Sequence, residues 1–503
     1  MDINKNTLLA SKSLPEFSKI RTKDMYQAIN YLIKENKKII KNIEGIKKLS
    51  WKNFVYKVEE SDDKISKVWA PIRHLNSVMN DSQTRKQYEK SLNLLTTHYG
   101  KIGQNKKLFS QYEKFYNENK IKLNSNQKKL LTDILSGFKL SGVHLDSKKR
   151  KLFRDCQEKL ANLEANFEQN ILDSTNSWSI NYRTKKILEG MPENALEIAA
   201  EVATSRNQKG YTLTLDQPCY MAVMTFAKSQ KLRKILYLAY ASRASNKFPV
   251  KGNWDNTKNI EEILSLRQTM AQILEYKNYA EYSLATKMAK SSKEVVGFLN
   301  NLKIKAIKKS KKEINILKKY AKTKLGIKKL NPWDLSYVSE KYKEEYFGVS
   351  QEELKQYFPV EHVIDGLFKL VKSLYGINVK LKKTKNVWHP DVRLYEIYDK
   401  NKNLRGKFYF DLYARQNKRG GAWMDECIQR RINSNGSVQS PVAFITCNSC
   451  PPTKTCPAFF THYDVETLFH EFGHALQHML TKVDYAGISG ISGVEWDAVE
   501  LPS

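Results

Sequence analysis

The sequence predicts a mainly α-helical protein with one small β-sheet, and the sheet falls just before the segment richest in chemistry. Three observations predict this. Apolar residues recur at helical spacing through most of the chain, a stretch after Trp388 switches to two-residue alternation, and an amphipathic segment bearing two histidines follows.

The elements can be taken in order. "TKDMYQAINYLIKENKKIIKNI" sets Met25, Ile29, Leu32 and Ile33 on one stripe. "KLFRDCQEKLANLEANFEQNIL" does the same with Leu160, Leu163, Phe167 and Ile171. "GYTLTLD" (210–216) alternates and predicts a short strand. Pro218 then suits a helix start, because its missing N–H would have no partner there. In "IKKSKKEINILKKYAKTKLGIKKL" (307–330), Ile314, Ile316, Leu317 and Tyr320 mark an amphipathic helix with a solvated lysine face. "DVRLYEIYDKNKNLRGKFYFDLYARQ" (391–416) reads as a β-hairpin turning at 400–403. A glycine-bearing loop, "NKRGGAW" (417–423), and a further apolar run, "PVAFITCN" (441–448), complete the sheet.

A chain of 503 residues, 41% hydrophobic and 27% charged, can build two or more domains with substantial cores. No apolar run is long enough to cross a bilayer. The N-terminus has no basic head followed by an apolar core, so a cytoplasmic location is expected, without membrane attachment. The net charge of +32 invites a nucleic-acid reading. However, lysine is spread along most of the chain beside abundant asparagine and isoleucine, and arginine, the better phosphate fork, is the minority cation. Compositional drift explains this pattern, and no specific nucleic-acid partner is expected. The six cysteines are expected to be reduced thiols. "CNSC" (447–450) lacks the second pair that a structural zinc site requires.

The helix predicted over 465–483, with Asp464 as N-cap, presents Leu468, Phe472, Leu476, Met479 and Leu480 on an apolar face. His470 and His474 fall on the opposite side one turn apart, where two imidazoles can face one ion without bending the backbone. Glu471 falls on that same wet side, placed to reach a water on that ion, the position of a general base. Chance yields such a pattern roughly once per hundred chains of this length. Catalytic zinc needs a third protein ligand. His478 lies about 12 Å along the helix from His470, too far to join the ion. Leu480, Gly493 and Val494 stand where other zinc hydrolases with this motif carry their third ligand. Glu495, Asp497 and Glu500 remain, on a second helix that "VEWDAVELPS" can begin. The glycines of "YAGISGISG" let the chain double back to it.

"LFHEFGHALQHML" with "GISGVEWDAVELPS" resembles the thimet oligopeptidase (M3) family of zinc metallopeptidases, as do "PIRHLNSVMN", "VWHPDVRLYEIYD", "FYFDLYARQNKRGGAWMD" and "PVAFITCN". The likeness covers essentially the whole chain. It implies a two-domain zincin-type oligopeptidase with a deep central channel and a small β-sheet next to the active-site helix. The implied division is an N-terminal helical domain over 1–150, a helical and strand connector over 151–220, and a catalytic domain over 221–503 whose C-terminal part is missing. It implies one Zn2+ held by His470, His474 and Glu500, the glutamate before the Pro-Ser pair. Glu471 would act as general base in the attack of a zinc-bound water. The implied substrates are short unstructured peptides, including released signal peptides, and the implied state is a monomer.

The family continues well beyond the Pro-Ser pair, with tyrosines and a histidine for the oxyanion. Two expectations follow: the protein is longer than this chain, or the product is truncated. Oxyanion donors are worth a factor of about 10² to 10³ in rate, so the 503 residues alone are expected to bind metal weakly and cleave little. The alternatives are an inactive peptide-binding remnant and a basic nucleic-acid-binding protein.

Overall fold

Capping and periodicity together set the N-terminal helices. The computed structural model describes residues 6–10 and 13–503. Helices Thr22–Glu44, Val55–Val78, Ser82–Gly103, Lys106–Asn119, Ser125–Leu140 and Ser147–Ser177 follow one another with short turns. Asp81 and Asp146 each accept from backbone N–H groups of the turn that follows. Asn124 and Gln127 form a reciprocal capping box. The predicted stripes are the buried ones: Met25, Ile29 and Ile33 are core, with Leu32 packed beside them.

Two short strands, Ser179–Tyr182 and Tyr211–Thr214, pair antiparallel, the second inside the predicted 210–216 segment. Helix Gln217–Phe226 follows with Pro218 in its first turn. The lysine-rich segment belongs to a 33-residue helix, Ser292–Lys324. Its far end packs through Tyr320 and Ala321 onto Tyr337 and Val338, whereas Val296, Phe298 and Leu299 near its start are exposed.

The main sheet has five strands in the order Asn378–Lys382, Arg393–Tyr398, Leu404–Tyr413, Val442–Ser449, Trp423–Ile428. The predicted hairpin is present as the antiparallel pair Arg393–Tyr398 and Leu404–Tyr413. Leu404–Tyr413 also runs parallel to Val442–Ser449. It is therefore a central strand with both edges paired. The outer strand beside the active-site helix is Trp423–Ile428.

Both faces of this sheet are covered. Phe408, Phe410, Ala443 and Ile445 pack on helices Val360–Tyr375 and His462–Met479. Tyr409, Val442 and Phe444 meet Met25, Ile29, Ile65 and Ile72 of the N-terminal helices. Alternate residues of "FYF" and "VAFI" thus serve opposite cores. Among the described residues, no helix is long and apolar enough to cross a membrane.

Candidate active site

The histidine helix spans His462–Met479, three residues earlier than the spacing predicts. The cap is Thr461, not Asp464. The Asp464 N–H donates to Thr461 Oγ1 at 3.1 Å, and the Thr461 N–H donates to Asp464 Oδ2 at 2.8 Å. This reciprocal box extends the helix by three residues through the polar residues His462 and Tyr463 and Asp464 itself. Leu468, Phe472, Ala475 and Met479 are fully buried against the sheet, which fixes how the helix is rotated.

That rotation turns His470 and His474 toward one point, with ring centroids 4.9 Å apart. Glu500 reaches the same point: its Oε2 lies 3.2 Å from His470 Nε2 and 3.1 Å from His474 Nε2. Among the described residues this is the one group of three or more His, Cys, Asp or Glu side chains that could hold a metal ion. "CNSC" forms none; Cys447, Cys450 and Cys456 are free thiols. The residues fit zinc. Two imidazole nitrogens and a carboxylate are an ordinary catalytic donor set, and tetrahedral zinc with ligands at about 2.0 Å sets them about 3.3 Å apart.

Glu500 arrives on a turn and not on the expected second helix. Residues Trp496–Ala498 make a single 3-10 turn. The backbone bonds there run three residues back: Ala498 N–H to the Glu495 carbonyl, Leu501 to Ala498 and Ser503 to Glu500. Upstream, Gly490 and Gly493 take positive φ of 66° and 76°, and a Cβ on Gly490 would meet His478 Nδ1 at 2.6 Å. Those glycines let the chain fold back across the helix it has just left. The other two acids left open by the sequence are engaged elsewhere. Asp497 accepts from the N–H groups of Met288 and Ala289, both at 2.9 Å, and Glu495 pairs with Lys129 at 3.4 Å. His478 is buried on the Ile428 carbonyl at 3.0 Å, away from the other two histidines.

Glu471 differs from its expected place on a wet helix face: it is only 6% exposed. The outer strand lies over it, and the Met424 N–H donates toward its carboxylate. Burial pushes this carboxyl above the ordinary glutamate range. Glu500 adds to the rise, while His470 and the Met424 N–H oppose it. Glu471 still lines a cleft with His470, Gly421, Ala422, Asn448 and Gln217. The cleft continues past Asn176, Asp216 and Arg415 toward helix Glu193–Ser205, because successive stretches share wall residues.

One part of the site was not foreseen. Lys418 is fully buried and donates to Asp411 Oδ1 at 2.7 Å, and to the carbonyls of Asp411, Tyr413 and Cys447 at 3.0, 2.7 and 2.6 Å. Arg415 holds both oxygens of Asp411, at 2.6 and 2.7 Å, and donates to the Val78 carbonyl. Asn448 Nδ2 donates to the carbonyls of Arg419 and Gly421. These bonds pin the glycine loop against the strand that ends beside Glu471. Asp411, Arg415 and Lys418 stand four and three apart in "DLYARQNK", the signal that could have pointed to them.

With this geometry described, comparison with known proteins is informative. Residues 223–503 match the signature of Peptidase family M3, and residues 29–150 match that of the Neurolysin/Thimet oligopeptidase N-terminal domain. The chain is similar to oligopeptidase A of Escherichia coli, 44% identical over 99% of this chain and 74% of that one. Against oligopeptidase A of Salmonella typhimurium the identity is 43%, with the same two shares. "Probable cytosolic oligopeptidase A" of Arabidopsis thaliana is 36% identical over 100% of this chain and 73% of that one.

Proposed function

The chain belongs to Peptidase family M3, and from that premise we propose that it is a zinc-dependent oligopeptidase like oligopeptidase A, cutting short unstructured peptides, released signal peptides among them. The observation that carries this reading is the convergence of His470, His474 and Glu500, with the Glu500 carboxylate within 3.2 Å of both imidazoles and the three donor atoms within 4.8 Å of one another, beside a buried glutamate on a cleft wall. We take those three as the ligands of one Zn2+. When bound, the ion supplies Lewis acidity that lowers the pKa of water and polarises the scissile carbonyl.

The protein's own groups do the rest. Glu471 takes the proton of the attacking water at a carboxylate oxygen and passes it to the leaving amine. The outer strand Trp423–Ile428, entered through Gly420 and Gly421, is the edge beside which an extended peptide can lie and pair. Pairing along this edge needs a backbone that is extended with its N–H and C=O groups free, which favours unstructured peptides. We further propose that the protein acts as a monomer in the cytoplasm, in line with a plant relative whose name includes the word cytosolic.

The test is cleavage of a short internally quenched peptide by the zinc-loaded chain. The reading expects slow turnover that is lost on chelation and restored by zinc. Undiminished turnover after chelation contradicts it. Peptide binding that survives chelation without any cleavage would identify a peptide-binding scaffold instead.

A further inference from the structure

We propose that Gly473 is a positioning residue for the metal site: its bare backbone is the seat for Pro502 and Ser503, and that seat fixes where the Glu500 carboxylate meets the two histidines. The inference rests on the reading of His470, His474 and Glu500 as ligands of one ion.

A Cβ placed on Gly473 would lie 2.4 Å from the Pro502 carbonyl oxygen, 2.7 Å from Ser503 Cα and 3.1 Å from the Pro502 carbonyl carbon. All three are backbone atoms, so no side-chain rotation relieves the overlap. Non-bonded contacts settle at about 3.5–4.0 Å, so this segment would have to lift by about 1 Å. Glu500 would move with it. The Ser503 N–H donates to the Glu500 carbonyl at 3.3 Å, and Ser503 Oγ bonds the same carbonyl at 2.7 Å and Glu500 Oε2 at 3.2 Å. Metal–ligand distances hold to within about 0.2 Å of their ideal values, so a shift of this size strains the Glu500 side chain against the two histidines.

Conformational freedom is not the reason for this glycine. Gly473 sits in ordinary helical backbone without positive φ, unlike Gly490 and Gly493. A glycine inside a helix costs stability relative to alanine. The close approach of Pro502 and Ser503 is what the position gains in return.

The experiment uses the full 503-residue chain stripped of metal, with zinc affinity read by competition against a chromophoric chelator and apo stability by thermal melting. Gly473→Ala is expected to weaken zinc binding at least tenfold while the apo midpoint stays level or rises, since alanine favours the helix. In a Pro502→Gly background, where the segment can yield, the same substitution is expected to cost less than threefold. Zinc binding by Gly473→Ala within twofold of the parent overturns the proposal, as does an equal loss in both backgrounds or a lowered apo midpoint. If the parent chain binds no zinc, or His474→Ala leaves its affinity unchanged, the ligand reading itself fails and this inference falls with it.

Discussion

Replacing Lys418 with methionine should loosen the glycine loop beside the active site far more than a single substitution in a loop ordinarily does. The ammonium is fully buried and has four acceptors between 2.6 and 3.0 Å: three carbonyls and one Asp411 oxygen. Methionine retains most of the stem's packing but none of the donors. Asp411 keeps Arg415 and the Trp388 indole N–H at 2.8 Å, so it is not left bare. The Asp411, Tyr413 and Cys447 carbonyls each lose a donor. A buried acceptor left without a donor costs about 1–3 kcal/mol, so the loss of these bonds together is taken as about 3–5 kcal/mol. If that cost falls on local opening of residues 411–422, it lowers amide protection there by about two to four orders of magnitude. Hydrogen exchange read by mass spectrometry resolves such a change against unaffected amides in Ser82–Gly103. Because Gly421 and Asn448 line the cleft, kcat should fall alongside. A loss of protection smaller than tenfold would refute the view that Lys418 anchors this loop.

Further predictions follow from the same contacts. Glu471→Gln should cut kcat by about 10² to 10⁴ while leaving zinc affinity within a few-fold, measured by quenched-peptide turnover and chelator competition. Asp334→Ala should destabilise the region around Arg233 by about 3–5 kcal/mol without altering zinc binding. Arg233 is fully buried and shares a 2.7 Å bond with Asp334, its other donors being spent on backbone carbonyls. Burial raises Glu59 to about 7, so the folded chain holds a proton there that the unfolded chain releases near 4.5. Stability from this group is therefore present below pH 4.5 and is lost as pH rises toward 7. Thermal melts should show Glu59→Gln gaining on the parent across that window, and parallel curves would contradict the assignment.

The sequence made the site legible more readily than its surroundings. Helical periodicity gave the Met25 stripe, alternation gave the hairpin, and the spacing of His470 and His474 set both imidazoles on one helix face. What it missed came from tertiary context. The helix begins at Thr461 because a side-chain box, not apolar spacing, sets its start. A helical projection places Glu471 on the wet side, but the outer strand Trp423–Ile428 comes from distant sequence and buries it. The second face of the sheet was half visible: Tyr409 and Phe444, at the alternate positions of their strands, are apolar where a one-sided sheet would be polar. Nothing local said that the N-terminal helices would fill that face. The choice among Glu495, Asp497 and Glu500 depended on contacts with Lys129, Met288 and Ala289, which spacing cannot reveal.

The most direct test of the metal centre is X-ray absorption at the zinc edge on the zinc-loaded chain, with His474→Ala alongside. The account predicts one zinc per chain in a shell of nitrogen and oxygen at about 2.0–2.1 Å, with two imidazoles in the parent and one in the variant. A shell containing sulfur at about 2.3 Å, or imidazole scattering unchanged by the substitution, would contradict it.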